Sequence, residues 1–173
     1  MKGKSAEGIE PRNFVWHIKE ALATSERPPG YGEHHRRVRR QEEIIWVRQH
    51  RFDVVYSLIA GSHNLHNYEE LGMPFRHRPW PLHDQLAQYM EVLFTEIRGA
   101  VNAGLRVLVH KEEVDERLCG VMAAYLLWAG LVPDGPQVTA IAERIFQQRL
   151  GPHGRELVEI AISMEPSEES SDK

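Results

Sequence analysis

Val107-Leu108-Val109-His110-Lys111-Glu112-Glu113-Val114-Asp115-Glu116-Arg117, continued by Leu118-Cys119-Gly120-Val121-Met122-Ala123-Ala124-Tyr125-Leu126, is the stretch that decides the fold. Leu105 to Val109, with Val107-Leu108-Val109 as its apolar part, is a β-type run that predicts a strand. A polar loop follows. Leu118 to Trp128 then reads as an apolar helix, with Arg117 at its start and Gly130 beyond its end. A strand that feeds a loop and leaves it as a helix is one step of an alternating α/β chain.

The rest of the chain repeats that alternation. Asn13–Ile18 is a short mixed run that predicts a first edge strand. Pro28 to Gly32 is a loop by its Pro and Gly content. His34 to His50 reads as a helix, with Val38, Ile44, Ile45 and Val47 inward. Val54 to Ile59 is a second β-type run, and a long connection through Gly61 to Gly72 follows. Leu86, Tyr89, Met90, Leu93, Ile97, Ala100 and Val101 repeat at three and four residues, the strongest helical pattern in the chain, which Gly104 terminates. Pro133-Asp134-Gly135-Pro136 predicts a turn with Asp134 as a cap. Val138, Ile141 and Ile145 mark an amphipathic helix reaching Leu150, and Gly154 to Ser163 a last one. Strands alternating with helices predict one α/β domain with a central, mostly parallel sheet flanked by helices.

His110 and Arg117 stand at the spacing of a known loop. The segment resembles the active site of the cysteine-dependent protein phosphatases, the dual-specificity branch in particular. That family reads strand, His-Cys, five residues, Arg, Ser or Thr, and then a helix containing Ala-Tyr-Leu. Here His110, Arg117 and Ala124-Tyr125-Leu126 match. Leu22-Ala23-Thr24-Ser25-Glu26-Arg27-Pro28 is similar to the family's opening Leu-Ala-x-Ser-x-x-Pro phrase, and the order of elements follows the family from Phe14 to Met164. The resemblance implies a dual-specificity-phosphatase-like fold. It also implies a loop whose backbone N–H groups, arginine and following helix hold a phosphate while a thiolate attacks it.

The position of the nucleophile holds Lys111, which forms no phosphocysteine. The family's mid-loop glycine is Val114, which resists left-handed backbone angles. The hydroxyl after the arginine is Leu118. Glu112, Glu113, Asp115 and Glu116 add four carboxylates that repel an anion. The expectation is therefore a catalytically inactive relative, a pseudophosphatase, acting as a binding or scaffold module for a protein partner, a phosphorylated one among the candidates. Arg117 and Lys111 are the anion-binding candidates. The plain structural alternative is that one of them pairs with a neighbouring Glu and closes the loop. Asp84 stands where the family's general acid would be; its structural reading, favoured by Gln85-Leu86-Ala87 after it, is a helix N-cap. Cys119, the only cysteine, lies eight residues past Lys111 inside the helix, where a buried, unreactive thiol is expected.

Two further groups have functional and bland readings. Arg36, Arg37, Arg39 and Arg40 are candidates for binding a phosphate-bearing partner, or form a solvated helix face paired with Glu33, Glu42 and Glu43. His63, His66, His77 and His83 with Asp84 offer ligand types that suit zinc or iron, and so an alternative reading as a metal-assisted hydrolase. No closed ligand set is visible among them, and neither a metal nor a cofactor is expected.

The 173 residues fit one core: 1–12 as a flexible lead, 13–164 as the α/β domain, and an acidic, polar tail over 165–173 that is expected to be disordered. With 42% hydrophobic and 27% charged residues the composition is globular. A net charge of −4 gives no nucleic-acid footprint, and no apolar run is long enough to span a bilayer. The absence of an apolar leader and the single cysteine point to a cytoplasmic setting.

Overall fold

The computed structural model describes residues 8–29, 37–62 and 64–164. Five strands form one sheet in the order β1-β2-β5-β3-β4. They are β1 (Val15–Ile18), β2 (Leu22–Glu26), β3 (Val54–Ser57), β4 (Phe75–His77) and β5 (Val107–Lys111). Only the β1–β2 pair is antiparallel; β2–β5, β5–β3 and β3–β4 run parallel. All five residues of β5 are buried, as expected of the central strand of a parallel sheet. Its register sets Ser25 and Ser57 on either side of His110, and Glu26 beside Lys111.

The chain divides into two compact units. The first, Met1–Trp80 with Gly99–Val114, holds the whole sheet together with helices α1 (Arg37–Gln49) and α2 (His66–Glu70). Ile44 and Val47 of α1 share a core with Ala23, Val55 and Leu108 of the sheet and with Tyr68 and Met73. Phe14, Trp16, Trp46 and Phe52 extend it as an aromatic cluster, and the Arg106 guanidinium lies 5.5 Å from the Trp16 ring.

The second unit, Pro81–Arg98 with Asp115–Lys173, is helical in its described part. It holds α3 (Leu86–Asn102) as far as Arg98, α4 (Glu116–Trp128), α5 (Gly135–Phe146) and α6 (Pro152–Ser163). Helix α4 is apolar on nearly every side, with Leu118 to Leu126 continuously buried. A Cβ on Gly120 would lie 2.5 Å from Gly154 Cα, so glycine is needed where α4 meets α6. Tyr125 meets Phe94 edge-on with ring centroids 5.6 Å apart, and Arg98 lies 4.3 Å from the Trp128 ring.

Several elements differ from expectation. Leu22–Glu26 is strand β2, which its Leu-Ala-Thr-Ser-Glu composition does not announce. The connection over Gly61–Gly72 contains α2, and Phe75–His77 is strand β4. Strand β5 starts at Val107 rather than Leu105 and continues to Lys111, because pairing with β2 carries the ladder past the apolar run. In α1, Val38 is 62% exposed, and Arg40 and Glu43 take buried positions beside Ile44 and Val47. Phe94 joins the inner face of α3, whereas Ile141 of α5 is exposed. Helix α5 ends at Phe146, where Gln147 adopts a left-handed conformation, short of the expected Leu150. Gly104 and Gly130 take positive φ angles of 79° and 75° beyond α3 and α4, the role expected of each.

Candidate functional site

Strand β5 ends at Lys111, and residues 112–115 form the loop that leads to α4. This is the carboxyl edge of a parallel sheet, where α/β folds place their ligand sites. In the first unit the start of the loop is tied down by its own side chains. Lys111 is 9% exposed, with its Nζ 3.6 Å from Glu112 Oε2 and 5.7 Å from the centre of the Trp80 ring. The second carboxylate oxygen of Glu112 accepts the backbone N–H of Ala60 at 2.8 Å. The Lys111 carbonyl accepts the N–H of Arg27, also at 2.8 Å. Lys111 thus pairs with a neighbouring glutamate, and that glutamate bridges the loop to the chain after β3.

The second unit holds the rest of the motif. Asp115 caps α4, its Oδ1 accepting the Leu118 N–H at 2.9 Å. A Glu116 carboxylate oxygen stands 3.8 Å from His153 Nε2. Arg117, in the first turn of α4, is partly exposed. Of the four carboxylates, Glu112, Asp115 and Glu116 thus have structural partners, while Glu113 is exposed. Cys119 is buried in α4 and accepts a hydrogen bond from Gln148 Nε2 at 2.7 Å. Burial pushes its thiol up to about 11, so little thiolate forms near neutrality.

His110 is 1% exposed and bonded at both ring nitrogens: Nε2 lies 2.7 Å from Ser57 Oγ, and Nδ1 lies 3.0 Å from Tyr68 Oη. A neutral imidazole has one donor and one acceptor, and the two hydroxyls can take either complementary role, so the Ser57–His110–Tyr68 chain accommodates an uncharged His110. Burial first, then the charges of Arg27 and His77, push His110 down to about 3. Sequence reasoning singled out His110 but neither partner. Ser57 is legible only through the strand register, and Tyr68 only through α2.

The other predicted site residues are dispersed. Asp84 is exposed within a one-turn 3-10 helix (His83–Gln85) that runs into α3. Leu82 takes the flanking extended position, with φ −65° and ψ 153°. The expected N-cap at Asp84 is thus not formed, because helical backbone begins before it. In the arginine group, Arg36 lies outside the described residues and Arg37 is exposed. Arg39 Nε donates to Glu43 Oε2 at 2.9 Å, the expected i,i+4 pair. Arg40, only 9% exposed, donates from Nε to Asn67 Oδ1 at 2.6 Å. Arg37, Arg39 and Arg40 do not form one solvated face, because Arg40 turns inward with Ile44 and Val47.

His63 also lies outside the described residues. His66 is exposed, His77 Nε2 lies 2.9 Å from the Ile59 carbonyl, and His83 pairs with Glu156. Among the described residues, no group of three or more His, Cys, Asp or Glu is placed to hold a metal ion, and no helix is long and apolar enough to cross a membrane.

No family model matches the sequence, and no curated protein matches it. Solved structures do. Kinase associated phosphatase, with its catalytic-site cysteine substituted by serine, superposes with a TM-score of 0.73 at 14% identity, covering 88% of this chain and 96% of that one. Tk-PTP in its active form gives 0.68 at 18% identity, covering 88% and 98%. The core catalytic domain of the PP-IP phosphatase SIW14 from S. cerevisiae gives 0.58 at 12% identity, covering 88% and 87%. The fold is that of the dual-specificity and protein tyrosine phosphatases, an α/β fold on a mixed, mostly parallel five-stranded sheet.

Proposed function

We propose that this chain is a pseudophosphatase: a protein of phosphatase fold, without phosphomonoesterase activity, that serves as a binding or scaffold module for a protein partner. The observation that carries the reading is Lys111. It stands at the position of the family's nucleophile, and its ammonium is engaged by Glu112 and Trp80. A lysine there has no route to the thiophosphate ester through which the family works. Cys119 is no substitute, since it lies within α4 with its thiol protonated and buried. Val114 and Leu118 remove two further features of a working loop.

The partner binds without being cleaved. Arg117 is the residue by which a phosphorylated partner would be held, since a guanidinium forks onto two phosphate oxygens. Two measurements test the reading. Purified protein is expected to show no turnover of para-nitrophenyl phosphate above the blank; turnover that survives further purification and vanishes in Arg117→Ala would overturn it. Thermal unfolding with and without vanadate then distinguishes the modes of binding. A rise in melting temperature that Arg117→Ala removes means the loop still cradles an oxyanion; no rise means the partner docks elsewhere.

A further inference from the structure

We propose that the first unit carries a pocket for a small organic anion: a compact apolar body about the size of a benzene ring, bearing one phosphate or carboxylate, held between Arg27 and Arg40. The cavity has a volume of about 190 Å³. A dry cavity of about 150 Å³ is enough to hold benzene, so a ring and a small head group fit. Ile44, Ile59 and Leu65, with Pro28 and Pro29, supply the apolar wall, and Asn64, Tyr68 and His110 the neutral polar groups. None of residues 111–117 lines it, so the pocket is distinct in its lining from the loop after β5.

The two arginines give the pocket its sign. Among the described residues, neither has a carboxylate within ion-pair distance. Arg40 is nearly buried and spends its Nε on the amide oxygen of Asn67, whose own amide donates to Glu70 Oε2 at 2.9 Å. Among the described residues, that Nε bond to Asn67 is the hydrogen bond its guanidinium makes. Burial depresses the Arg40 pKa from its ordinary value; Arg37 adds to that effect and Glu70 opposes it. The buried carboxyl of Glu43 is turned to Arg39 and is pushed up by burial. Keeping a desolvated guanidinium without an anion is costly, and an oxyanion forked between two guanidinia relieves that cost. His110 contributes no charge of its own, because burial holds it neutral. Charge therefore comes from Arg27 and Arg40, and shape from the apolar wall.

Titration calorimetry of the full chain with phenyl phosphate, benzoate and benzyl alcohol tests this, on wild type, Arg27→Ala, Arg40→Gln and Arg117→Ala. At least one of the two anions is expected to bind wild type, and about tenfold or more weakly to Arg27→Ala, while the neutral alcohol binds far more weakly. Which anion binds tells a phosphate from a carboxylate ligand. Arg40→Gln is expected to lose binding as well. Should it unfold, Arg27→Ala alone decides, since its side chain is not part of the core. Binding lost in Arg117→Ala and kept in Arg27→Ala would place the anion on the β5–α4 loop and overturn the proposal. So would equal affinity for benzyl alcohol, or no binding of either anion at millimolar concentration.

Discussion

Burial sets the reactivity of Cys119. Its thiol, moved from 9.0 to about 11, holds about a hundredfold less thiolate at mild alkaline pH than an unshifted one. The folded protein is therefore expected to react with a small aromatic disulfide reagent about a hundredfold or more slowly than the urea-unfolded chain, with one thiol released per chain on unfolding. Similar rates in both states would contradict a buried Cys119 and reopen the question of a working thiol. The motif residues His110, Lys111, Arg117 and Cys119 were legible in sequence because spacing survives in one dimension. What Lys111 does was not: its contacts to Glu112 and Trp80 depend on where the chain returns.

At the scale of elements, caps and close approaches give the sharpest expectations. Asp115 and Asp134 each accept a first-turn N–H, from Leu118 at 2.9 Å and Gln137 at 2.8 Å. Replacing either by Ala is expected to cost about 1 kcal/mol, read as a lowered urea midpoint at unchanged slope. Two glycine substitutions should have opposite signs. Gly120→Ala forces a methyl onto Gly154 and is expected to destabilise by about 1–3 kcal/mol. Gly99, within α3, has open space around its Cβ position, so Gly99→Ala is expected to stabilise by about 0.5–1 kcal/mol. A neutral Gly120→Ala would mean that α4 and α6 do not approach as described. The long helix α3 and the Asp134 cap could be read from sequence, since each depends on neighbours within one turn. β2, β4 and α2 could not, because short elements are stabilised by the strands and core they join rather than by their own composition.

For the whole molecule, the buried imidazoles set the response to acid. His110 is pushed down to about 3 and His17, beside Thr24, to about 4, both by burial from an ordinary 6.5. The unfolded chain binds these protons first, so both histidines contribute full stability above pH 6.5. That contribution is lost as pH falls, through about 4 for His17 and on towards 3 for His110. Each adds a slope of at most about 1.4 kcal/mol per pH unit within its window. Glu43, pushed up by burial, acts in the opposite sense: it favours the fold below the ordinary carboxyl range and loses that contribution as pH rises through its folded value. Urea unfolding between pH 4 and 7.5 is expected to show stability falling towards acid, with a shallower dependence in His110→Asn. An unchanged slope in that variant would remove His110 from the account.

The sequence by itself determined the alternation of strands and helices, the strand with its loop and following helix, and the residue types at the motif positions. These follow from periodicity, capping and spacing, which act over a few residues. Only the tertiary structure decided which side chains are neutral, paired or buried. Ser57 and Tyr68 meet His110 because parallel register and α2 bring together positions 53 and 42 residues away. Arg40 turns inward because α1 buries the face that carries Ile44, and with Arg27 it then lines a cavity that no local pattern announces. Desolvation is the reason for the difference: it depends on everything that surrounds a group, and most of what surrounds these groups is distant along the chain.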